Sequence, residues 1–228
     1  MPTMSGGSQF TVFFSDERRR AILRGLFDSY YAHIPADRVV FDTNRTWTAK
    51  AALLADLYPQ ARIICCVRDI HWIIDSIERM LRKNPLQLSR IFNFRPGSSI
   101  YSRVEILMNS DKGIVGAAWG SLREAWFSGD ANRLIAVNYE NLAREPETIV
   151  NRLYEELGEA PFKHDYDNVV YDEPEYDAEL GMPGLHTVRQ KVEHQKRESC
   201  IPPDLINRYS SLNFWLKPDM NPRGVIIL

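Results

Sequence analysis

Arg68 and Ser76 are two residues whose types and spacing could serve one chemical task, the binding of a phosphate. Arg68 directly follows a run of small and β-branched apolar residues at 63–67, which is typical of a strand buried on both faces. Ser76 lies in the next segment, 70–81, where apolar residues recur at helical spacing, about two helical turns beyond the arginine. If both side chains lie near the carboxyl end of that strand, the planar guanidinium and the hydroxyl could together bind a phosphate. The same pattern also fits a surface ion pair and a serine on a solvated helix face, and spacing alone leaves both interpretations open.

The elements around these two residues predict a parallel α/β sheet. Three short apolar runs are predicted to be strands: 39–41, 62–67 and 134–138. Each is followed by a polar turn and then a helical pattern, which is the order of an α/β sheet with right-handed crossovers. Ligands of such sheets bind at the carboxyl ends of the strands. We therefore expect the turns at 42–45 and 138–141 to lie on the same edge as Arg68.

The rest of the chain alternates between predicted helices and two long irregular segments. Helices are predicted at 16–31, 46–58, 104–127 with an interruption around 111–113, 146–158 and 203–215. The irregular segments are a loop at 84–102 and an acidic stretch at 161–183, and long loops of this kind often form binding surfaces. We expect them to shape the pocket of a substrate. Residues 1–10 are small and polar and are expected to be disordered.

Composition limits the classes of protein to consider. A chain of 228 residues fits a single domain, here 1–228, and 44% hydrophobic with 25% charged residues is typical of a soluble globular protein. The net charge of −2 argues against a general nucleic-acid binder. No apolar run approaches the ~20 residues of a membrane span, and no signal-peptide or metal-binding motif is present. The three cysteines form no disulfide framework, which favours a reducing cytoplasm.

Three segments resemble the sulfotransferases that use 3′-phosphoadenosine 5′-phosphosulfate (PAPS). They read VRDIHWIIDSIERM at 67–80, VNYENLAREPETIVNRLYEELG at 137–158 and VFDTNRTW at 40–47. The C-terminal part, from LHTVRQKV to NFWLKPDMNPRGV, is similar to small bacterial members of that family. The resemblance covers most of the chain from Asp37 onward. It is more specific than the Arg/Ser spacing alone, because two motifs occur at the expected separation.

The resemblance assigns residues to the PAPS donor. Arg68 and Ser76 match the family's site for the 3′-phosphate, and Tyr139 matches a tyrosine expected beside the adenine. The family also carries a basic phosphate-binding segment late in the chain, which this sequence lacks in its usual glycine-rich form. Three candidates for closing over the nucleotide lie there: His186, Thr187 and Arg189.

The resemblance also implies a reaction, the transfer of a sulfuryl group from PAPS to a hydroxyl or amine without a metal. A base takes the proton of the acceptor while cations stabilise charge on the leaving phosphate. Asp42 is the candidate base, because no histidine occupies the 42–45 turn, and Arg45 could position the acceptor or the sulfuryl group. Asp42 could instead cap the following helix or pair with Arg45. The sequence names neither the acceptor, whether small molecule, carbohydrate or peptide, nor the oligomeric state.

The fold implied by the resemblance is a three-layer α/β/α fold of the P-loop nucleotide-binding type. Such sulfotransferases begin with a strand and a phosphate loop, which hold the 5′-phosphosulfate at a helix N-terminus. Gly6, Gly7 and Ser8 have neither the preceding strand nor the adjacent cation of that loop. We therefore expect an N-terminally incomplete domain, with a gap between the strands at 62–67 and 134–138 whose backbone groups need another partner.

Three explanations of that departure remain open: a truncated chain, a degenerate inactive relative, or an unrecognised segment that fills the gap. The alternative function is accordingly a non-catalytic relative that retains recognition of adenosine 3′,5′-bisphosphate. A P-loop phosphotransferase is disfavoured, because the sequence has no GxxxxGK[ST] motif.

Overall fold

The structure, a computed structural model, describes residues 13–86, 88–94 and 99–228. Backbone contacts divide the chain into two compact units, Met1–Ala61 and Arg62–Leu228. The expected disorder of residues 1–10 and the glycines at 6 and 7 lie outside the described residues. The expectation of a single domain stays a prediction.

Two helices form the described part of the first unit: α1, Asp16–Tyr30, and α2, Ala51–Leu57, which a short 3-10 turn precedes. Ser15 caps α1 by accepting a hydrogen bond from the backbone N–H of Arg18 at 3.2 Å. Arg24 joins the two helices, because its Nε donates to the carbonyl oxygen of Leu57 at 3.0 Å.

The strand predicted at 39–41 is wrong. These three residues, all described, adopt no strand and are 52%, 40% and 59% exposed. Their side chains have β propensity, but burial and pairing with a neighbouring strand are what stabilise a strand in practice. The prediction that the 42–45 turn follows a strand end, and therefore shares an edge with Arg68, loses its basis.

The second unit contains a three-stranded parallel sheet in the order β1-β2-β3, formed by Ile63–Val67, Leu134–Asn138 and Ile226–Ile227. This confirms the predicted α/β class with a parallel sheet. β1 and β2 pair directly along five residues, from Ile63 with Leu134 to Val67 with Asn138. The predicted gap between these two strands is therefore wrong. β1 and β2 therefore pair their facing backbone groups with each other, and β2 pairs on its other side with β3.

Seven helices are described in the second unit. They are α3 Ile70–Lys83, α4 Ile100–Leu107, α5 Gly116–Phe127, α6 Tyr139–Arg144, α7 Pro146–Leu157, α8 Pro174–Leu180 and α9 Pro203–Ser210. The predicted interruption of the 104–127 helix is confirmed by the break between α4 and α5. Two segments predicted as irregular carry helices instead, because α8 lies within 161–183 and α4 begins within 84–102.

The middle strand is buried on both faces. All five residues of β2 are buried, and Ile135 and Val137 pack with Ile149 of α7 and with Leu228. Side chains alternate along a strand, so Leu134 and Ala136, both 0% exposed, fill the opposite face. β3, which the sequence pattern did not predict, flanks β2, with the N–H of Leu228 donating to the carbonyl of Ala136 at 2.8 Å.

Candidate anion-binding site

Arg68 lies directly after β1, at the carboxyl edge of the sheet, and contacts two residues that directly follow β2. Its Nε donates to Oε1 of Glu140 at 3.3 Å. Its guanidinium carbon lies 4.1 Å from the ring centroid of Tyr139, which is a cation–π contact. Both partners follow β2, where Asn138 caps α6 by accepting from the N–H of Glu140. The structure thus places Arg68 and the 138–141 turn on one edge, as predicted.

Two arginines converge on the hydroxyl of Ser76. Nη1 of Arg68 lies 3.4 Å from Ser76 Oγ, and Nη2 of Arg197 donates to the same oxygen at 2.9 Å. The structure therefore brings Arg68 and Ser76 together, as their spacing suggested. Arg197 was missed as a site residue. In the sequence, Arg197 is marked only by its place in a basic segment. Because it lies 121 residues from Ser76, no local spacing links the two residues.

The carboxylate of Asp75 holds Arg197 in this position. Asp75 is 0% exposed, and its Oδ2 lies 2.7 Å from Nη2 of Arg197 and 2.9 Å from Nε of Arg79. Its Oδ1 accepts from the backbone N–H of Cys200 at 2.6 Å. Burial alone would raise the pKa of Asp75, but the hydrogen bonds from Cys200 and Arg79 outweigh it and lower that pKa. The side chain is therefore ionised at neutral pH.

The cluster carries an excess of positive charge. Partial burial lowers the pKa of Arg197, and although Asp75 opposes that shift, the charges of Arg68, Arg79 and Arg189 add to it. We define the arginine cluster by six charged side chains that act on Arg197 or pair with Arg68, four arginines and two carboxylates: Arg68, Arg79, Arg189, Arg197, Asp75 and Glu140. Their formal net charge is +2. Guanidinium groups that lie close together at a partly buried site repel one another, so the binding of an anion between them is favourable.

Of the three late candidates, Arg189 contributes to this positive field, whereas His186 and Thr187 bind carboxylates. Nδ1 of His186 lies 2.5 Å from Oδ1 of the fully buried Asp177, and its backbone N–H donates to Oδ2 at 2.9 Å. Thr187 donates from Oγ1 to Asp172 at 2.7 Å. The His186 ring is thus fixed, with Nε2 directed away from the carboxylate.

The segment carrying these candidates runs beside α3. A Cβ built on Gly184 would lie 3.6 Å from Cε of Met80, and Met80 stands one helical turn beyond Ser76. Gly184 has φ +81°, a left-handed conformation that glycine adopts without strain. The turn at Gly184 therefore lies against the end of the Met80 side chain of α3.

Asp42 and Arg45 belong to the first unit, whereas the arginine cluster belongs to the second. Oδ1 of Asp42 accepts from Nε1 of Trp47 at 2.7 Å, and Oδ2 accepts from the hydroxyl of Tyr31. That second hydrogen bond raises the pKa of Tyr31 to about 12. The alternative that Asp42 caps the following helix is wrong, because neither the 3-10 turn Thr48–Lys50 nor α2 has a side-chain cap, and Asp42 accepts from two side chains instead.

Two further findings concern metals and membranes. Within the ranges that the structure describes, no three His, Cys, Asp or Glu side chains are grouped so that they could hold a metal ion. Across the same ranges, no helix has the combined length and apolarity that crossing a membrane requires.

Comparison with known proteins matches the chain to a family model. A family model described as "Sulfotransferase family" matches residues 15–163, which is more than half of the chain. No significant match was found among curated proteins or among solved structures. The matched region includes Asp42, Arg68, Ser76 and Tyr139, whereas Arg197 lies beyond it. The chain belongs to the sulfotransferase family.

Proposed function

We propose that the protein transfers a sulfuryl group from PAPS to a hydroxyl or amine acceptor and releases adenosine 3′,5′-bisphosphate. The observation that carries this proposal is the convergence of Arg68 and Arg197 on Ser76. The proposal includes a three-layer fold of the P-loop nucleotide-binding type and a cytoplasmic location. The acceptor is a small molecule, a carbohydrate or a peptide.

The 3′-phosphate of the donor would bind between the two arginines. A phosphate monoester carries up to two negative charges near neutral pH, which the net +2 of the cluster would neutralise. Both guanidinium groups offer planar forks that suit phosphate oxygens, and the hydroxyl of Ser76 adds a donor. Tyr139 lies against Arg68, where it would border the nucleotide.

In the proposed reaction, the acceptor oxygen or nitrogen attacks the sulfur of PAPS while the bond from sulfur to the bridging phosphate oxygen breaks. A base removes the acceptor's proton, and the electron pair of the broken bond stays on the phosphate. We keep Asp42 as the proposed base, with Arg45 positioning the acceptor or the sulfuryl group. Asp42 already accepts one hydrogen bond on each carboxylate oxygen, and each oxygen keeps a second lone pair that could take the acceptor's proton.

The first test is the recognition of the 3′-phosphate by isothermal calorimetry. The ligands are adenosine 3′,5′-bisphosphate and adenosine 5′-monophosphate, which differ only in that group. Hydrogen bonds to charged groups contribute about 1.5–3 kcal/mol, so we expect a preference for the bisphosphate of roughly 10- to 150-fold. Arg68→Ala should remove most of it. Arg208→Ala is the control, since that guanidinium lies over Tyr209 and not at Ser76.

Equal affinity for the two nucleotides would refute the proposal. A second assay then divides catalysis from binding alone, because the same site could serve a non-catalytic relative. With ³⁵S-labelled PAPS, a sulfotransferase moves label to a panel of hydroxyl and amine acceptors. A nucleotide-binding relative shows the 3′-phosphate preference without transfer of label.

A further inference from the structure

Asp75 is a buried carboxylate on α3 that is held mostly by groups from far along the chain. Arg79 is its neighbour one turn on, and its other partners lie more than a hundred residues away. These distant partners are Nη2 of Arg197 at 2.7 Å, Oγ of Ser199 at 3.2 Å and the backbone N–H of Cys200 at 2.6 Å. Burying an ionised carboxylate is unfavourable unless it is well paired, so this arrangement depends on all its partners.

Asp75 and Ser76 act on the same nitrogen of Arg197. Nη2 lies 2.7 Å from the carboxylate and 2.9 Å from the hydroxyl, and both acceptors come from adjacent residues of one helix. The rigid helix therefore sets where the Arg197 fork can lie. Without the carboxylate, repulsion from the nearby charges of Arg68 and Arg79 would act on Arg197 uncompensated.

The whole segment 197–200 is attached to α3 by similar contacts. Arg79 donates to the carbonyl of Glu198, and Nη2 of Arg82 donates to the carbonyl of Cys200 at 3.2 Å. Asp75 is the acceptor for three donors of this segment, so its charge holds both the backbone and the arginine. The segment itself forms no helix or strand.

From these contacts we infer that Asp75 is a positioning residue, which fixes segment 197–200 against α3 so that Arg197 and Arg68 together form the 3′-phosphate site. The inference rests on the proposed function for the identity of the anion. It assigns Arg197 a direct contact with the phosphate, while Asp75 acts through Arg197. The carboxylate itself would repel the anion, but its charge is paired with Arg197 and Arg79.

The test is Asp75→Asn, which keeps the size of the side chain and removes its charge. We expect affinity for adenosine 3′,5′-bisphosphate to fall about tenfold or more, and affinity for adenosine 5′-monophosphate to stay within about twofold. The matched control is Glu78→Gln. Glu78 lies on the same helix, is 3% exposed and pairs with Arg82 and Arg103 at 2.8 and 2.7 Å. It should lose comparable stability while the preference for the bisphosphate remains.

A double-variant cycle separates positioning from general destabilisation. Arg197→Ala alone should abolish most of the preference, and adding Asp75→Asn should then change it little, because the group that Asp75 positions is already gone. Independent effects that multiply would contradict the inference. If Asp75→Asn does not fold, Asp75→Glu serves instead, since it keeps the charge but displaces the carboxylate by one methylene and should still weaken the preference.

The outcomes distinguish this inference from the function on which it rests. A wild-type protein without any preference for the 3′-phosphate overturns both. A wild-type preference that survives in Asp75→Asn, or that Glu78→Gln loses to the same extent, overturns the positioning role and leaves the proposed function standing.

Discussion

Replacing Tyr139 tests whether its ring supports Arg68 or contacts the adenine of the donor. The resemblance to PAPS-dependent enzymes assigns this tyrosine to the adenine, whereas the structure places its ring 4.1 Å from the guanidinium carbon of Arg68. The two roles predict different results for Tyr139→Leu. Leucine is a good helix former and suits the first position of α6, so the substitution should leave the local backbone intact.

The size of the effect follows from the exposure of the contact. Tyr139 is 40% exposed, and a cation–π contact at an exposed site contributes about 0.5–1 kcal/mol. If the ring acts only through Arg68, affinity for adenosine 3′,5′-bisphosphate should fall about two- to fivefold. Affinity for adenosine 5′-monophosphate should not change. If the ring instead stacks on adenine, that contact contributes about 1–3 kcal/mol, and the affinity for both nucleotides should fall about five- to 150-fold.

Calorimetry of both nucleotides on three variants decides between these roles. Tyr139→Phe keeps the ring and should bind both ligands as the wild type does. Tyr101→Leu is the control for loss of an exposed tyrosine, since Tyr101 is 47% exposed and its hydroxyl donates to Asp204. If Tyr139→Leu loses affinity for both nucleotides to the same extent, the reasoning from the Arg68 contact is refuted and the adenine role is supported.

Two further predictions concern acid stability and the base. Despite burial, the pKa of Asp75 is held below its ordinary value by the backbone N–H of Cys200 and by Arg79, and that of Glu78 by Arg103 and Arg82. Both carboxylates therefore stabilise the folded state above their unfolded pKa of about 4 and lose that contribution as the pH falls through the folded pKa. Melting temperatures should therefore drop more steeply below about pH 4 in the wild type than in Glu78→Gln, and equal slopes would contradict this. In the ³⁵S transfer assay, Asp42→Asn should reduce the turnover number at least about 100-fold if Asp42 is the base. A small effect there together with a large one in His186→Asn would move the role to His186, whose Nδ1 is already held by a buried carboxylate.

Much of the second unit could be predicted from local pattern. The apolar run at 63–67 and the helical periodicity that follows it both come from burial at fixed spacing, and the structure has β1 and α3 there. Asn138, Tyr139 and Glu140 were expected at the sheet edge because parallel strands end on one side. The prediction of a strand at 39–41 was wrong because local sequence pattern does not indicate whether a partner strand is available.

The contacts that complete the candidate site could not be predicted, because they depend on residues far apart in sequence. Arg197 meets Ser76 across 121 positions, and only the folded path of the chain shows which of the late basic residues does so. The direct pairing of β1 with β2 is a similar case. The gap expected between them came from the family pattern, and the residues of the two strands gave no indication of a gap. Asp75 does carry a local signal: a carboxylate among the buried positions of an amphipathic helix must find partners, and here those partners include the second arginine, Arg197. A buried charge beside a predicted binding residue is therefore a reason to search the distant basic segments of a chain for the rest of its site.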